Sequence, residues 1–341
     1  MRPRPSRVLC SLLAGIVLAS ISACARPTER PRSPADTAAV RETATVQPPD
    51  LATDAAPSPV PAAAIPAPPE SHSDATAVCV APQYVTPPPP QRKRDTAPPA
   101  IGAASAVVVD GSSGVVLWGR DEHQPLQPAS VTKIVTALIA IERGNLDERV
   151  AVDLEQRLLS RGTTMGLVTG DWFTMQDLLY GLMLPSGNDA AAVIAQHIAG
   201  GERPFAELMN SRLCSLGLVD STFINPSGLG RGEYNLASAY DLAQVARVAM
   251  EYPAFRDLAV ARSWVARGSR MLPLRNLNDL LGVYPGADGV KIGWTPGAGN
   301  TIVASAKRGN HRVFVVLMRT PNRAAESAAL LDWAFATFAW E

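Results

Sequence analysis

Twenty of the chain's 30 prolines fall before residue 100, and this uneven placement limits what the first part of the chain can become. Each proline fixes φ and removes a backbone donor, so a stretch dense in them supports neither a helix interior nor a central strand. Residues 25–99 are also rich in Ala, Thr and Asp, with few aromatics and little periodicity. Such a stretch cannot bury enough apolar surface to offset the entropy of ordering it. It is expected to be an extended tether, reaching from roughly 50 Å as a flexible coil to ~230 Å as full polyproline II. Beyond it the chain changes character, and the whole chain's 47% hydrophobic and 18% charged residues can support a substantial core. The formal net charge of +0 lacks the basic excess of a nucleic-acid binder.

Ahead of the tether, Arg2, Arg4 and Arg7 precede an apolar run over residues 8–20 and then small residues. This is the pattern of a secretory signal, and the run is too short for a confident membrane span. Its end, Ile21-Ser22-Ala23-Cys24, resembles the lipobox of bacterial lipoproteins, in which the cysteine is lipidated and becomes the new N-terminus. Ordinary signal cleavage at Ala23-Cys24-Ala25 is the alternative. The division expected is a signal peptide at 1–23, a lipidated Cys24 with a disordered linker over 24–99, and a globular domain over 100–341. Arg92-Lys93-Arg94 reads as the solvated end of the linker. Cys10, Cys24 and Cys79 lie ahead of the globular part and Cys214 within it, so no disulfide framework is expected and Cys214 reads as a small core residue of a helix over 205–216.

From Ala104 two short apolar runs flank the turn-forming Asp110-Gly111-Ser112-Ser113-Gly114, which predicts a β-hairpin. A strongly apolar helix is predicted over 131–142. Thr174-Met175-Gln176-Asp177 and Ser238-Ala239-Tyr240-Asp241 resemble capping boxes ahead of further helices. Residues 301–307 and 312–318 read as strands, and a last helix opens at Pro321-Asn322-Arg323. Strands at both ends around a helical middle predict an α+β fold: an antiparallel sheet flanked by helices, with a largely helical region over 154–261.

Within this frame, Ser130 and Lys133 stand three residues apart in Pro128-Ala129-Ser130-Val131-Thr132-Lys133, on one face of a predicted helix start. A serine hydroxyl needs a neighbouring proton acceptor to become a nucleophile at neutral pH, and a buried lysine can be one. That asks the lysine to drop by roughly 3 pK units, or about 4 kcal/mol. Ser-x-x-Lys also occurs as an ordinary helix start. Acyl transfer needs, besides, a proton path to the leaving group and a cationic or dipolar clamp. Pro185-Ser186-Gly187-Asn188-Asp189 between two apolar runs can present a hydroxyl and an amide, although a plain helix–helix turn explains it equally. Asp288-Gly289-Val290-Lys291-Ile292-Gly293-Trp294-Thr295 reads as a strand carrying a lysine and a glycine that permits close backbone approach, or else as an edge strand with a solvated lysine. Ser-x-x-Lys, Ser-x-Asn and Lys-x-Gly in that order are close to the motif set of β-lactamases and penicillin-binding proteins.

Over residues 101–338 the chain resembles the serine D-Ala-D-Ala carboxypeptidases among the low-molecular-mass penicillin-binding proteins. Further segments that carry the likeness are Thr164-Met165-Gly166-Leu167, the run from Asp177 through Ala190, Asn225-Pro226-Ser227-Gly228-Leu229 and Ala298-Gly299. The resemblance implies that Ser130 attacks the carbonyl between the last two D-alanines of a peptidoglycan stem peptide, with Lys133 as base and Ser186 relaying a proton to the departing D-alanine. It implies that Asn188 binds the substrate amide, that Lys291 supplies positive potential, and that the backbone N–H groups of Ser130 and Trp294 form the oxyanion hole, with Gly293 and Thr295 beside them. Arg323 matches a family arginine that holds the substrate's free carboxylate; a charge at a helix start is the plainer explanation. β-Lactam antibiotics would be covalent inhibitors, and no cofactor or metal is implied. The protein would face the cell wall or periplasm, held to the membrane by lipid on Cys24.

Two departures stand out. The family's third motif is usually Lys-Thr-Gly, and Ile292 here removes a hydroxyl that could donate to a substrate carboxylate, for which Thr295 or Arg323 would have to compensate. The chain also ends soon after the Arg323 helix, without the β-rich domain and amphipathic anchor of many relatives. A β-lactamase-like hydrolase and a non-catalytic peptidoglycan- or penicillin-binding protein are the alternatives. The first needs a deacylating base, and Glu207 with Asn210 is a poor match because both read as helical. The four histidines, His72, His123, His197 and His311, form no metal-ligand spacing.

Overall fold

The computed structural model describes residues 87–340 apart from residue 231. The signal segment, Cys24, Cys79 and the linker to residue 86 lie outside the described residues. The chain opens with β1 (Gln91–Arg92), β2 (Ser105–Asp110) and β3 (Val116–Arg120), and a 3-10 turn (Ala129–Thr132) leads into α1 (Lys133–Arg143). The middle holds β4 (Arg149–Ala151), α2 (Gln156–Leu159), β5 (Trp172–Thr174), α3 (Met175–Met183), α4 (Asn188–Ala199), α5 (Glu202–Ser215), α6 (Ala239–Ala249) and α7 (Pro253–Val260). Then follow β6 (Ser263–Arg267), β7 (Met271–Arg275), β8 (Ala287–Thr295), β9 (Gly299–Arg308), β10 (His311–Thr320), α8 (Arg323–Thr337) and β11 (Phe338–Ala339).

Both ends of this sequence contribute to one antiparallel sheet of order β3-β2-β10-β9-β8, as the pattern of strands predicts. All six residues of β2 are buried, which explains why it reads as an unbroken apolar run and not an alternating one. Val107 and Val109 enter the core shared with α1, α3 and α6, whereas Ala106 and Val108 enter a second core closed by Leu330, Leu331 and Ala334 of α8. The edge strand β8 is left with one side unpaired, and that side borders the 3-10 turn that carries Ser130.

Helix α1 runs through the first core, and its residues from Lys133 to Ala140 are all buried. A helix apolar on every side belongs inside a protein, so a lysine at its first position is drawn into the core with it. The predicted caps form: Thr174 and Ser238 accept from the amides of Asp177 and Asp241 at 3.1 and 3.0 Å, and Asn322 caps α8 by accepting from Ala325 at 3.1 Å. No described helix is long and apolar enough to cross a membrane.

Several expectations need correction. The helix expected from residue 131 begins at Lys133, because residues 129–132 take the tighter 3-10 form. The region 154–261 is helical in α2 to α7, but its described residues between α5 and α6 form a helix-free loop. That loop is held by Asn210, which exchanges two hydrogen bonds with the Phe223 backbone, and by Asn235, whose Oδ1 accepts from Ile224 and Asn225. The ribbon β6–β7 was not legible, because Pro273 argues against a strand; it is tolerated since a two-stranded ribbon has free edges on both sides. Cys214 is half-buried and disulfide-bonded, not a lone core residue. Finally, residues 87–99 are not all free linker. β1 pairs with β11, Lys93 N–H donates to Thr337 O at 2.8 Å, and the Trp333 indole donates to Thr96 O at 2.9 Å.

Candidate active site

Three sequence motifs far apart in the chain meet at one cleft of about 330 Å³, lined by Ser130, Thr163, Ser186, Leu277, Ile292, Gly293, Trp294 and Arg323. Ser130 is half-buried in the 3-10 turn, where side chains three residues apart eclipse one another. The turn is held to β9 by Thr301, whose hydroxyl donates to Pro128 O at 3.0 Å. Ala129, just ahead of the nucleophile, has φ of 51°, a left-handed conformation that costs about 1–3 kcal/mol for a residue with a side chain.

Lys133 Nζ lies 3.1 Å from Ser130 Oγ, 2.6 Å from Asn188 Oδ1 and 2.8 Å from Ser227 O. A neutral amine has two N–H groups and one lone pair. Asn188 Oδ1 and Ser227 O accept the two N–H groups, which turns the lone pair toward the Ser130 hydroxyl. The group is fully buried; desolvation, then the charge of Lys291, pull its pKa well below the usual lysine range, and Asp189 opposes them. The environment therefore supplies both conditions the spacing alone could not: an amine whose charged form is disfavoured, and its orientation.

Two glycines make this approach possible. A Cβ on Gly228 would lie 1.9 Å from Ala129 O, so only glycine lets the 225–229 loop bring Ser227 O to Lys133. A Cβ on Gly293 would lie 2.8 Å from Ser130 N and 2.5 Å from Thr301 Oγ1, so glycine here lets the backbone of β8 pass beside the amide of the nucleophile.

Ser186 sits in the link between α3 and α4, with φ of 64°. Its hydroxyl is buried yet has no partner among the described residues, an arrangement that costs about 1–3 kcal/mol unless something else supplies the bond. Asn188 is the first residue of α4; its Nδ2 donates to Arg161 O at 3.0 Å while its Oδ1 accepts from Lys133. Lys291, on β8, is buried and not a solvated edge lysine. Burial first, and Arg323 second, lower its pKa to about 7. Trp294 is 60% exposed at the rim, and Thr295 Oγ1 accepts from Ala298 N at 3.1 Å. Thr295 is not among the cleft-lining residues. Arg323, the first residue of α8, does line the cleft, 3.4 Å from Asp279 in an ion pair and 3.4 Å from Asn300 Oδ1.

Sequence reasoning passed over three contributors. Thr163 lines the cleft and its hydroxyl donates to Ser186 O at 2.8 Å, while its own carbonyl accepts from Asn188 N at 2.8 Å. Asp189 is wholly buried and accepts from the amides of Met165, Gly166 and Leu167, each at 2.9 Å, pinning that loop against the Ser186 turn. An aspartate directly after the Ser-x-Asn motif was the available signal for it; Thr163 offered none. Leu277, on the loop after β7, places an apolar side chain opposite the strand. Glu207 and Asn210 lie in α5, as expected, and Asn210 is committed to Phe223.

Residues 92–322 match the family model described as D-alanyl-D-alanine carboxypeptidase. The chain is 35% identical over 245 residues to D-alanyl-D-alanine carboxypeptidase DacF of Bacillus subtilis, covering 69% of this chain and 63% of that one. The chain thus spans under two thirds of the length of that relative. The crystal structure of a D-alanyl-D-alanine carboxypeptidase from Mycobacterium tuberculosis superposes with a TM-score of 0.68 at 33% identity, over 72% of this chain and 96% of that chain. The Streptomyces K15 DD-transpeptidase superposes with a TM-score of 0.66 at 28% identity, over 71% and 100%. With the three motifs gathered at one cleft and the match running through most of the described residues, the chain belongs to the D-alanyl-D-alanine carboxypeptidase family of serine peptidases.

Proposed function

We propose that the protein is an exported serine carboxypeptidase that removes the terminal D-alanine from peptidoglycan stem pentapeptides. The observation that carries this reading is the buried Lys133 amine, 3.1 Å from the Ser130 hydroxyl with both its N–H groups accepted elsewhere. Ser130 Oγ bonds to the carbonyl carbon between the two D-alanines as its proton passes to Lys133 Nζ. The amide N–H groups of Ser130 and Trp294 hold the oxyanion; losing one such donor typically costs about two to three orders of magnitude in rate. As the C–N bond breaks, the proton moves through Ser186 to the departing D-alanine nitrogen, and the orphaned hydroxyl of Ser186 is suited to that path. Water, activated by the same lysine, then hydrolyses the acyl-serine. Asn188 binds the amide of the acyl part. Lys291 supplies positive potential, and Arg323 holds the terminal carboxylate. β-Lactams acylate Ser130 in the same way. The N-terminal signal, with lipid on Cys24, tethers the enzyme on the outer side of the membrane that it crosses.

Mass spectrometry of an L-Ala-γ-D-Glu-diaminopimelate-D-Ala-D-Ala digest tests the assignment: loss of one D-alanine is expected, and a penicilloyl group should map to the peptide containing Ser130. Penicillin labelling with no D-alanine released would make the protein a binder instead. A β-lactamase-like reading finds no support at the cleft, because no acidic side chain lines it.

Ile292 concentrates the question of turnover. Its side chain is 8% exposed, lines the cleft and packs into the second core, so the position offers substrate no hydroxyl. Arg323 is then the main hook for the terminal carboxylate. Ile292→Thr is expected to raise kcat/KM for the pentapeptide about tenfold, the worth of one added hydrogen bond to a charged group. An unchanged kcat/KM would show that Arg323 alone satisfies the carboxylate.

A further inference from the structure

Between Asp257 and Asp279 the chain carries four arginines, Arg262, Arg267, Arg270 and Arg275, and no acidic residue, although the whole chain has a net charge of +0. This stretch is the β6–β7 ribbon and its flanks. All four arginines are exposed. Arg270 is paired with Asp171 at 2.9 Å, whereas Arg262, Arg267 and Arg275 have no carboxylate partner among the described residues. Asp177 lies beside the ribbon, but its carboxylate already accepts from the Trp264 indole and the Arg267 amide.

The register sorts the ribbon into two faces. Trp264, Ala266, Leu272 and Leu274 turn inward, and Trp264 stacks on Tyr180 with ring centroids 3.9 Å apart. The other face pairs Ser263 with Arg275, Val265 with Pro273, and Arg267 with Met271, and all six are exposed. A solvent face of a two-stranded ribbon ordinarily alternates to polar residues. This one places the apolar pair Val265 and Pro273 between Arg275 and the Arg267–Met271 pair, with Val265 40% and Met271 67% exposed.

We propose that this face docks on an anionic lipid bilayer. Arginine pairs bidentately with phosphate and can lay its apolar stem along the headgroup boundary while Val265 and Met271 enter below it. A soluble polyanion would gain from the arginines but nothing from the two apolar side chains, and that difference selects lipid over polymer. Leu277, two residues after β7, lines the catalytic cleft, so a bilayer under the ribbon lies beside that cleft.

The test is sedimentation of the purified full chain with vesicles of phosphatidylcholine, alone or mixed with phosphatidylglycerol, at low salt. The N-terminal segment is common to all variants, so comparison among them reads the ribbon. R262Q/R267Q/R275Q should lower partitioning onto the mixed vesicles on the order of a hundredfold, and the matching lysine variant should retain most of it. V265S/M271S should weaken binding to both vesicle types several-fold. Fluorescent-penicillin labelling of Ser130, unchanged in each, reports an intact fold. Wild-type partitioning by the glutamine variant overturns the proposal. So does vesicle binding that ignores V265S/M271S while inorganic polyphosphate displaces it, which would make the face a polyanion site.

Discussion

Lys133→Met is expected to slow acylation of Ser130 by a fluorescent penicillin on the order of 10⁴-fold, the upper range for losing a positioned general base. Methionine has a similar length and no proton affinity, so the change removes the base while filling its space. It also leaves Asn188 Oδ1 and Ser227 O without the N–H groups that they accept at 2.6 and 2.8 Å. The pH profile separates loss of the base from loss of packing. In the wild type, acylation should fall toward acid as Lys133 takes up a proton, with an apparent pKa belonging to the coupled pair of Lys133 and Lys291. The residual rate of the variant should lack that acid limb. A variant within tenfold of wild type, or one that keeps the limb, would remove Lys133 from the base role.

Lys291→Met should have opposite consequences for activity and for stability. Loss of the buried cation is expected to cost about two to three orders of magnitude in kcat/KM for the pentapeptide. Stability should rise. The Lys291 pKa falls from 10.5 in the unfolded chain to about 7 in the fold, chiefly through burial. Between those values the unfolded state binds the extra proton, so the wild type gains stability as pH increases from about 7 to about 10.5 and carries the full penalty below that window. The penalty is roughly 5 kcal/mol. Lys291→Met should therefore be more stable than wild type at neutral pH by up to that amount, with the advantage shrinking to nothing near the alkaline end. Urea denaturation of both proteins at about pH 6.5 and about pH 9.5 measures the change. A constant difference across pH would mean that Lys291 is not held with a lowered pKa.

Much of the site was legible because motif spacing survives folding. Ser130 and Lys133 were paired on helical spacing; they do meet, but through a 3-10 turn ahead of the helix, and the eclipsing of that turn performs the alignment. The α+β sheet built from both ends was readable from apolar runs, and Ser238 and Thr174 from their capping aspartates. What escaped depends on relations across the chain. Whether Lys291 was solvated or buried turned on the 3-10 turn packing against an edge strand, which no local pattern encodes. Asp189 was given no role, although its carboxylate gathers three amides more than twenty residues upstream. Pro273 hid a ribbon, and the high proline content of the linker hid the short pairing that ends it.

That pairing carries a mechanical consequence. β1 and β11 match only Gln91 with Ala339 and Arg92 with Phe338, so the chain enters the folded unit beside the strand that closes α8. Tension applied to the backbone at residues 87–90, where the chain enters the folded unit, meets this two-residue zipper and the adjoining bonds from Lys93 to Thr337 O and from Trp333 to Thr96 O before it reaches β2. The zipper peels one rung at a time, whereas β2 lies between β3 and β10 and would have to shear along its length. The first stretch to yield under load is thus a replaceable strap that can lengthen and rezip, leaving the turn that bears Ser130 undisturbed.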